Sequence, residues 1–154
     1  MAVKFLKPQA LLGSNADDTF LRSVLNYGDT TSATAQVRAC QDYDVTAIFR
    51  QNGRKEDLIA EINKGFPVAT GFLHKGNYTR PFGGGHWALL IGYTPTHGIF
   101  HDPYGELDNV NGGYPKRGVG GKETSYTWER WLPRWAVKGP GDGWYMTFRP
   151  SSND

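Results

Sequence analysis

The stretch GGGHWALLIGYTPTHGIFHDPYGE, Gly83 to Glu106, decides the fold. Its two apolar runs, HWALLIGY (86–93) and GIFHD (98–102), are short and bounded by glycine, which is typical of buried strands. The residues between them, TPTH, predict a hairpin turn. Such a hairpin folds the end of the second strand, at Asp102, back toward the start of the first strand, at His86.

The pairing of His86 with Asp102 is compatible with general-base catalysis. A histidine acts as a general base when a carboxylate orients its second ring nitrogen and stabilises the imidazolium. Gly84 and Gly85, which follow Gly83, carry no side chain to block a ligand backbone that approaches the histidine. The alternative is a histidine satisfied beside a turn, with Asp102 merely ending a strand. The residue types alone leave both interpretations open.

Outside this stretch, helical periodicity dominates early and strand periodicity dominates late. Helices and strands in that order predict an α+β fold with a largely antiparallel sheet. No repeat or linker interrupts the chain, so we predict a single domain over residues 1–154. The predicted helices are 15–28, 30–44 and 54–65, the further strands are 44–53, 66–73 and 143–149, and SYTWERWLPRW (125–135) is a helical turn that Pro133 ends.

Composition excludes several classes of protein. Seventeen Lys and Arg against fifteen Asp and Glu leave a charge of +2, and the basic residues are scattered. Nucleic-acid binding, which needs a clustered basic surface, is therefore not predicted. No apolar run approaches the length of a membrane span and no signal peptide is present, so the sequence predicts a soluble protein with no membrane span. A single cysteine excludes an internal disulfide and any multi-cysteine zinc site.

A metal site is a competing interpretation of the histidines. His74, His86, His101 and Asp102 carry suitable ligand atoms, but no two histidines have the spacing typical of zinc hydrolases. We therefore predict neither a metal nor another cofactor.

Several segments together carry a resemblance to a known family. They are FPVATGFLHKGNY, GGGHWALLIGYTPTHGIFHDPYGE, GGY, WERWLPRW and GWYMTF. The chain resembles papain-like cysteine peptidases related to the bacteriocin-processing peptidases, and most of all the small versions carried by bacteria, especially cyanobacteria, and their phages. The resemblance runs from about Phe5 to the C-terminus. It implies a papain-like fold with N-terminal helices packed on the sheet, and a Cys-His-Asp triad with His86 as base and Asp102 as orienting acid.

The nucleophile of that triad is missing. In the family the cysteine stands at the start of the first helix, where the helix dipole and an imidazolium lower its pKa. MAVKFLKPQALLG looks like the continuation of that helix, so the domain is expected to be N-terminally truncated by a late start codon, a shortened chain or a second chain that supplies the segment. Cys40 shares a helical face with Ala33 and Val37 and is predicted to be a core residue. Ser14 and Ser32 are predicted to be helix caps.

Two functions of different classes remain. The first is a cysteine-peptidase-like domain that cleaves peptides, including cell-wall peptides, as a phage or bacterial lytic protein, inactive as written because it lacks the cysteine. The second is a binding module or phage virion component that recognises a peptide or peptidoglycan fragment without chemistry. Self-association or a partner chain at the N-terminal helix is expected for either. Gly84 and Gly85 are predicted to contact the ligand.

Overall fold

A computed structural model of the chain describes residues 1–152. Within them the chain begins with three helices, and strands dominate the remainder. In chain order the elements are α1 (Ala2–Leu6), α2 (Ala16–Leu25), α3 (Ala33–Gln41), β1 (Val45–Gly53), α4 (Lys55–Asn63), β2 (Val68–Lys75), β3 (Phe82–Tyr93), β4 (His97–His101), β5 (Thr124–Thr127), α5 (Trp128–Trp135) and β6 (Gly143–Pro150).

The six strands form one sheet in the order β1-β6-β2-β3-β4-β5. The pairs β2–β3, β3–β4 and β4–β5 are antiparallel. The predicted turn between β3 and β4 is present, because the Thr94 amide donates to the His97 carbonyl over 2.8 Å. The predicted α+β class with an antiparallel sheet is confirmed.

Internal contacts divide the chain into two compact units. The first contains Met1–Phe49 and the chain from Met146 onward, and the second is Arg50–Tyr145. In the second unit α4 and α5 pack on strands of the sheet. The prediction of a single domain over residues 1–154 stays a prediction. The core of the second unit is a continuous apolar cluster: Leu58, Val68, Phe72, Ala88, Leu90, Phe100, Leu107, Tyr126, Trp128, Trp131, Trp135 and Tyr145.

In the first unit, one of the two predicted helix caps is present. The Ser32 hydroxyl accepts a hydrogen bond from the Ala35 amide over 3.3 Å at the start of α3. Ser14 does not cap α2, because the N-cap is Asn15, one residue later, and its side chain makes no capping hydrogen bond.

The buried face of α3 also differs from the predicted face. Cys40 is buried as expected, but Ala33 and Val37 are only partly buried, and Ala35 and Ala39 take their place. Alanines allow a neighbouring helix to approach closely, so the smallest side chains face α2. The resulting cluster is Val24, Ala35 and Ala39, with Phe20 packed against it.

The prediction that Pro133 ends a helical turn is wrong. Pro133 lies inside α5, and the residues before that helix form β5. Proline removes a single backbone donor. Burial of one face of the helix, on which Trp128, Trp131 and Trp135 lie, compensates for that loss.

None of the helices within residues 1–152 combines the length and the apolar character needed to cross a membrane.

Candidate active site

His86 and Asp102 meet where the hairpin predicts. His86 lies in β3, and Asp102 directly follows β4. The distance between His86 Nε2 and Asp102 Oδ1 is 2.7 Å, so the two side chains that the hairpin was predicted to bring together are hydrogen-bonded. His86 is 6% exposed and Asp102 is 5% exposed, so the pair is shielded from water.

Both oxygens of the Asp102 carboxylate have further partners. Oδ1 also accepts from the Tyr104 amide over 3.0 Å. Oδ2 accepts from the Tyr114 hydroxyl over 2.8 Å and from the Tyr126 hydroxyl over 3.0 Å. A buried carboxylate requires such donors to remain ionised. Burial and the nearby Asp102 charge raise the pKa of both tyrosines, so their hydroxyls keep the protons that they donate.

Aromatic rings enclose the imidazole. The Tyr104 ring stacks on His86 with 4.1 Å between centroids and 24° between planes. The Arg117 guanidinium lies 4.5 Å from the centroid of the Tyr104 ring. Three more rings approach the edge or face of His86: Phe72, His74 and Tyr114.

His74 is a second histidine at this site. Its ring centroid lies 5.6 Å from that of His86. Burial, together with the neighbouring His86, lowers the pKa of His74, while a hydrogen bond with the Gly84 backbone opposes that shift. Its Nδ1 is buried and has no hydrogen-bond partner within residues 1–152. Its surroundings therefore favour the neutral form of His74 beside His86.

The glycines before His86 border open space. A Cβ atom built on Gly84 or Gly85 meets no atom within 4 Å, and neither residue has the positive φ that would require glycine. Gly83 differs, because its φ is +95° and the Lys75 side chain would lie 2.8 Å from its Cβ. The fold thus explains the glycine at 83, whereas it does not require those at 84 and 85.

Cys40, the single cysteine of the chain, lies in the first unit, whereas His86 and Asp102 lie in the second. It is 2% exposed, as predicted for a core residue. Burial raises the pKa of its thiol to about 12. A thiol with that pKa carries almost no thiolate at neutral pH and is a poor nucleophile.

The described residues, 1–152, contain no group of three or more His, Cys, Asp or Glu side chains arranged to hold a metal ion. His101, a candidate ligand in the metal interpretation, instead accepts a hydrogen bond at Nδ1 from the Glu123 amide over 3.1 Å.

The sequence did not reveal the tyrosines. Tyr114 and Tyr126 stand 12 and 24 residues after Asp102, and no local pattern relates them to it. The one available signal is the GGY segment that ends at Tyr114, which carries part of the family resemblance but does not by itself indicate a contact with Asp102. Tyr104 lies two residues after Asp102, where a tyrosine is equally compatible with an ordinary turn.

Comparison with known proteins gives one family. A sequence model described as the Peptidase_C39 like family matches residues 8–132 of the chain. That range contains His86, Asp102 and all the tyrosines of the site. Among curated proteins, no match to the sequence reaches significance.

Proposed function

The chain belongs to the Peptidase_C39 like family, and on that premise we propose that His86 and Asp102 are the base and the orienting acid of a cysteine-peptidase centre. The observation that carries the proposal is the buried 2.7 Å contact between Nε2 and Oδ1. A hydrogen bond donated by Nε2 to the carboxylate leaves the lone pair on Nδ1. Nδ1 is then the atom that takes a proton from a thiol and later returns it to the leaving amine.

The thiol of this centre is not Cys40. Burial raises the pKa of Cys40, so almost no thiolate is present at neutral pH. Cys40 lies near the C-terminal end of α3 rather than at a helix N-terminus, and no histidine of the described residues lowers its pKa. We therefore expect the chain as written to hydrolyse no peptide bond, with catalysis requiring a thiol from outside residues 1–154.

Peptides are the proposed ligand class, and the cell-wall peptides of bacteria are the proposed natural source. Gly84 and Gly85 support this proposal, because the open space above them admits an extended backbone beside His86. A phage or bacterial lytic role would follow from that substrate.

The activity test uses protein verified to begin at Met1. It is incubated with purified peptidoglycan and with a peptide panel, and new amine termini are sought by mass spectrometry. We expect none. Turnover that disappears in His86→Ala would contradict the inactive interpretation. A version with a cysteine at the start of an added N-terminal helix should cleave, and His86→Ala should reduce that rate by up to about a million-fold, as for a triad residue in a comparable serine enzyme.

Gly84→Ala tests the role of the glycines, because the Gly84 backbone is hydrogen-bonded to His74 beside His86, whereas Gly85 and His86 are consecutive in β3 and face opposite sides of the sheet. Because an added Cβ meets no protein atom, the stability of the free protein should change by less than about 0.5 kcal/mol. Binding of peptidoglycan peptides, measured by chemical-shift titration, should weaken. Gly92→Ala in the same strand is the matched control, since its Cβ would make only an ordinary contact of 3.6 Å with Ile99. Equal binding by the two variants would remove Gly84 from the ligand site.

A second candidate function is peptide or peptidoglycan recognition without chemistry, for example in a phage virion. The high pKa of Cys40 favours this second function, because the His86–Asp102 pair then has no nucleophile in this chain. Binding without turnover, retained after a cysteine-bearing helix is added, would support this function over the first.

Self-association is proposed for the N-terminal region. Phe5 and Leu12 are exposed apolar residues of that region, and such surfaces associate with one another or with a partner. Analytical ultracentrifugation of the chain should show a dimer that Phe5→Ser weakens, and a monomer at all concentrations would contradict it.

A further inference from the structure

We propose that Tyr114 is a positioning residue for the His86–Asp102 pair: it holds Oδ2 of Asp102, so that Oδ1 stays turned to His86. The inference rests on the proposed function in one respect, that the pair is the base and acid of the centre. The Tyr114 ring packs against the His86 ring with 5.5 Å between centroids, and Tyr114→Phe would keep that ring, but the Tyr114 hydroxyl donates to Asp102. It acts through the carboxylate.

The carboxylate needs such a constraint. The terminal torsion of an aspartate is broad and roughly two-fold, so packing alone leaves the plane of the carboxylate poorly defined. Here each oxygen has its own donors, His86 and the Tyr104 amide on Oδ1 and two tyrosine hydroxyls on Oδ2. Hydrogen bonds to an ionised group are the stronger kind and have defined directions. Together they fix the orientation in which Oδ1 meets Nε2.

The two tyrosines contribute in different ways. Tyr126 lies in β5 within the core, and its hydroxyl also accepts from the Leu107 amide over 3.0 Å. Its removal would strand a backbone donor, so its effects on stability and on positioning cannot be separated. Tyr114 comes from the segment between β4 and β5, and its hydroxyl donates to Asp102. It is therefore the residue at which positioning can be tested alone.

The backbone places Tyr114 by close contact with the end of β2. The Gly113 amide donates to the His74 carbonyl over 2.7 Å. Gly112 has a φ of +78°, and a Cβ there would lie 2.5 Å from the Gly76 carbonyl oxygen, so only glycine fits. The two glycines that precede Tyr114 thus fix its position against the strand that carries His74.

Arg134 holds the same segment from the other side. Its buried guanidinium donates to the Asn109 and Val110 carbonyls over 3.3 and 3.1 Å, and to the Gly76 carbonyl over 2.9 Å. One cation thereby joins the segment before Tyr114 to the turn after β2. The hydroxyl of Tyr114 consequently reaches Asp102 from a fixed position.

Tyr114→Phe tests the proposal, with nitrogen-15 NMR of the His86 ring as the readout. In the wild-type chain we expect the proton on Nε2 and slow exchange of that proton with water. In Tyr114→Phe the carboxylate loses one donor and turns more freely, so exchange should become roughly ten- to a hundredfold faster, the range for one hydrogen bond to a charged group. Tyr93→Phe is the matched control, because it loses a 2.8 Å hydrogen bond to Asn63 away from the site.

The outcomes are distinct. Equal exchange rates in Tyr114→Phe and Tyr93→Phe would overturn the positioning role, and so would a wild-type ring that carries its proton on Nδ1. If Tyr114→Phe does not fold, the hydroxyl proton of Tyr114 is observed in the wild-type chain instead, and exchange of that proton with water as fast as for an exposed tyrosine would overturn the proposal. The NMR readout needs no turnover, so failure of the peptidase proposal alone would appear as absent cleavage by the version with the added cysteine-bearing helix, together with the expected exchange rates.

Discussion

His86 and Asp102 on the one hand, and Cys40 on the other, are buried to nearly the same extent and are chemically opposite. The pair is 6% and 5% exposed, and the cysteine is 2% exposed. Asp102 receives four hydrogen bonds, whereas burial raises the pKa of Cys40 to about 12 even though the positive N-terminal amine opposes that shift. Burial with hydrogen-bond donors thus gives an ordered histidine–carboxylate pair, and burial without them leaves a thiol with almost no thiolate.

The largest expected effect concerns the reactivity of Cys40. With a pKa of about 12, its thiolate at neutral pH should be roughly a thousandfold rarer than that of an exposed cysteine of pKa about 8.5. A thiol reagent should therefore label the native chain at least that much more slowly than the urea-unfolded chain. Rapid labelling of the native chain that His86→Ala abolishes would break the comparison and make Cys40 the nucleophile.

The next effect is the cost of removing the carboxylate. Asp102→Ala leaves His86 and the hydroxyls of Tyr114 and Tyr126 without their acceptor in a buried space. Because breaking a buried polar network by removing one partner is costly, the free energy of unfolding should fall by about 3–5 kcal/mol. Urea denaturation measures this quantity. Cys40→Ala is the buried control and should cost only about 1 kcal/mol, since no polar partner is stranded. Equal losses of unfolding free energy in Asp102→Ala and Cys40→Ala would contradict this prediction.

The smallest expected effect is on pH dependence. The pKa of His74 in the folded chain lies below 6.5, because burial and the neighbouring His86 disfavour its charged form. The unfolded chain therefore binds this proton more readily, and stability that is present above pH 6.5 declines as the pH falls toward the folded pKa. Unfolding free energies at several values between about pH 7.5 and 5 should show a shallower decline in His74→Gln. An identical slope in both proteins would show that His74 does not contribute.

The sequence predicts the hairpin and its histidine–carboxylate pair because both are local. Two apolar runs, a short turn and a spacing of 16 residues fix which ends meet. Burial of Cys40 was also predicted from helical spacing, but the residues of α3 that are buried with it are Ala35 and Ala39 rather than the predicted Ala33 and Val37.

The donors to Asp102 were not predictable, because tertiary folding alone brings them together. Tyr126 comes from a strand that sequence reasoning assigned to a helical turn, and Tyr114 comes from a glycine-rich segment with no periodicity. The prediction that Pro133 ends a helix was wrong for the opposite reason. Its local preference is to end a helix, and burial of the tryptophan face of α5 outweighs that preference.

Arg134 couples the local unfolding of the three segments that it joins. Its guanidinium is fully buried and donates to five carbonyl groups, those of Leu73, Lys75, Gly76, Asn109 and Val110. A helix, a strand end and a surface segment thus share one cation, and none of them can open without stranding it away from its acceptors. Because segments linked in this way open cooperatively, amide hydrogens in α5 and around Gly113 should exchange with a common opening free energy, well above that of an independent loop.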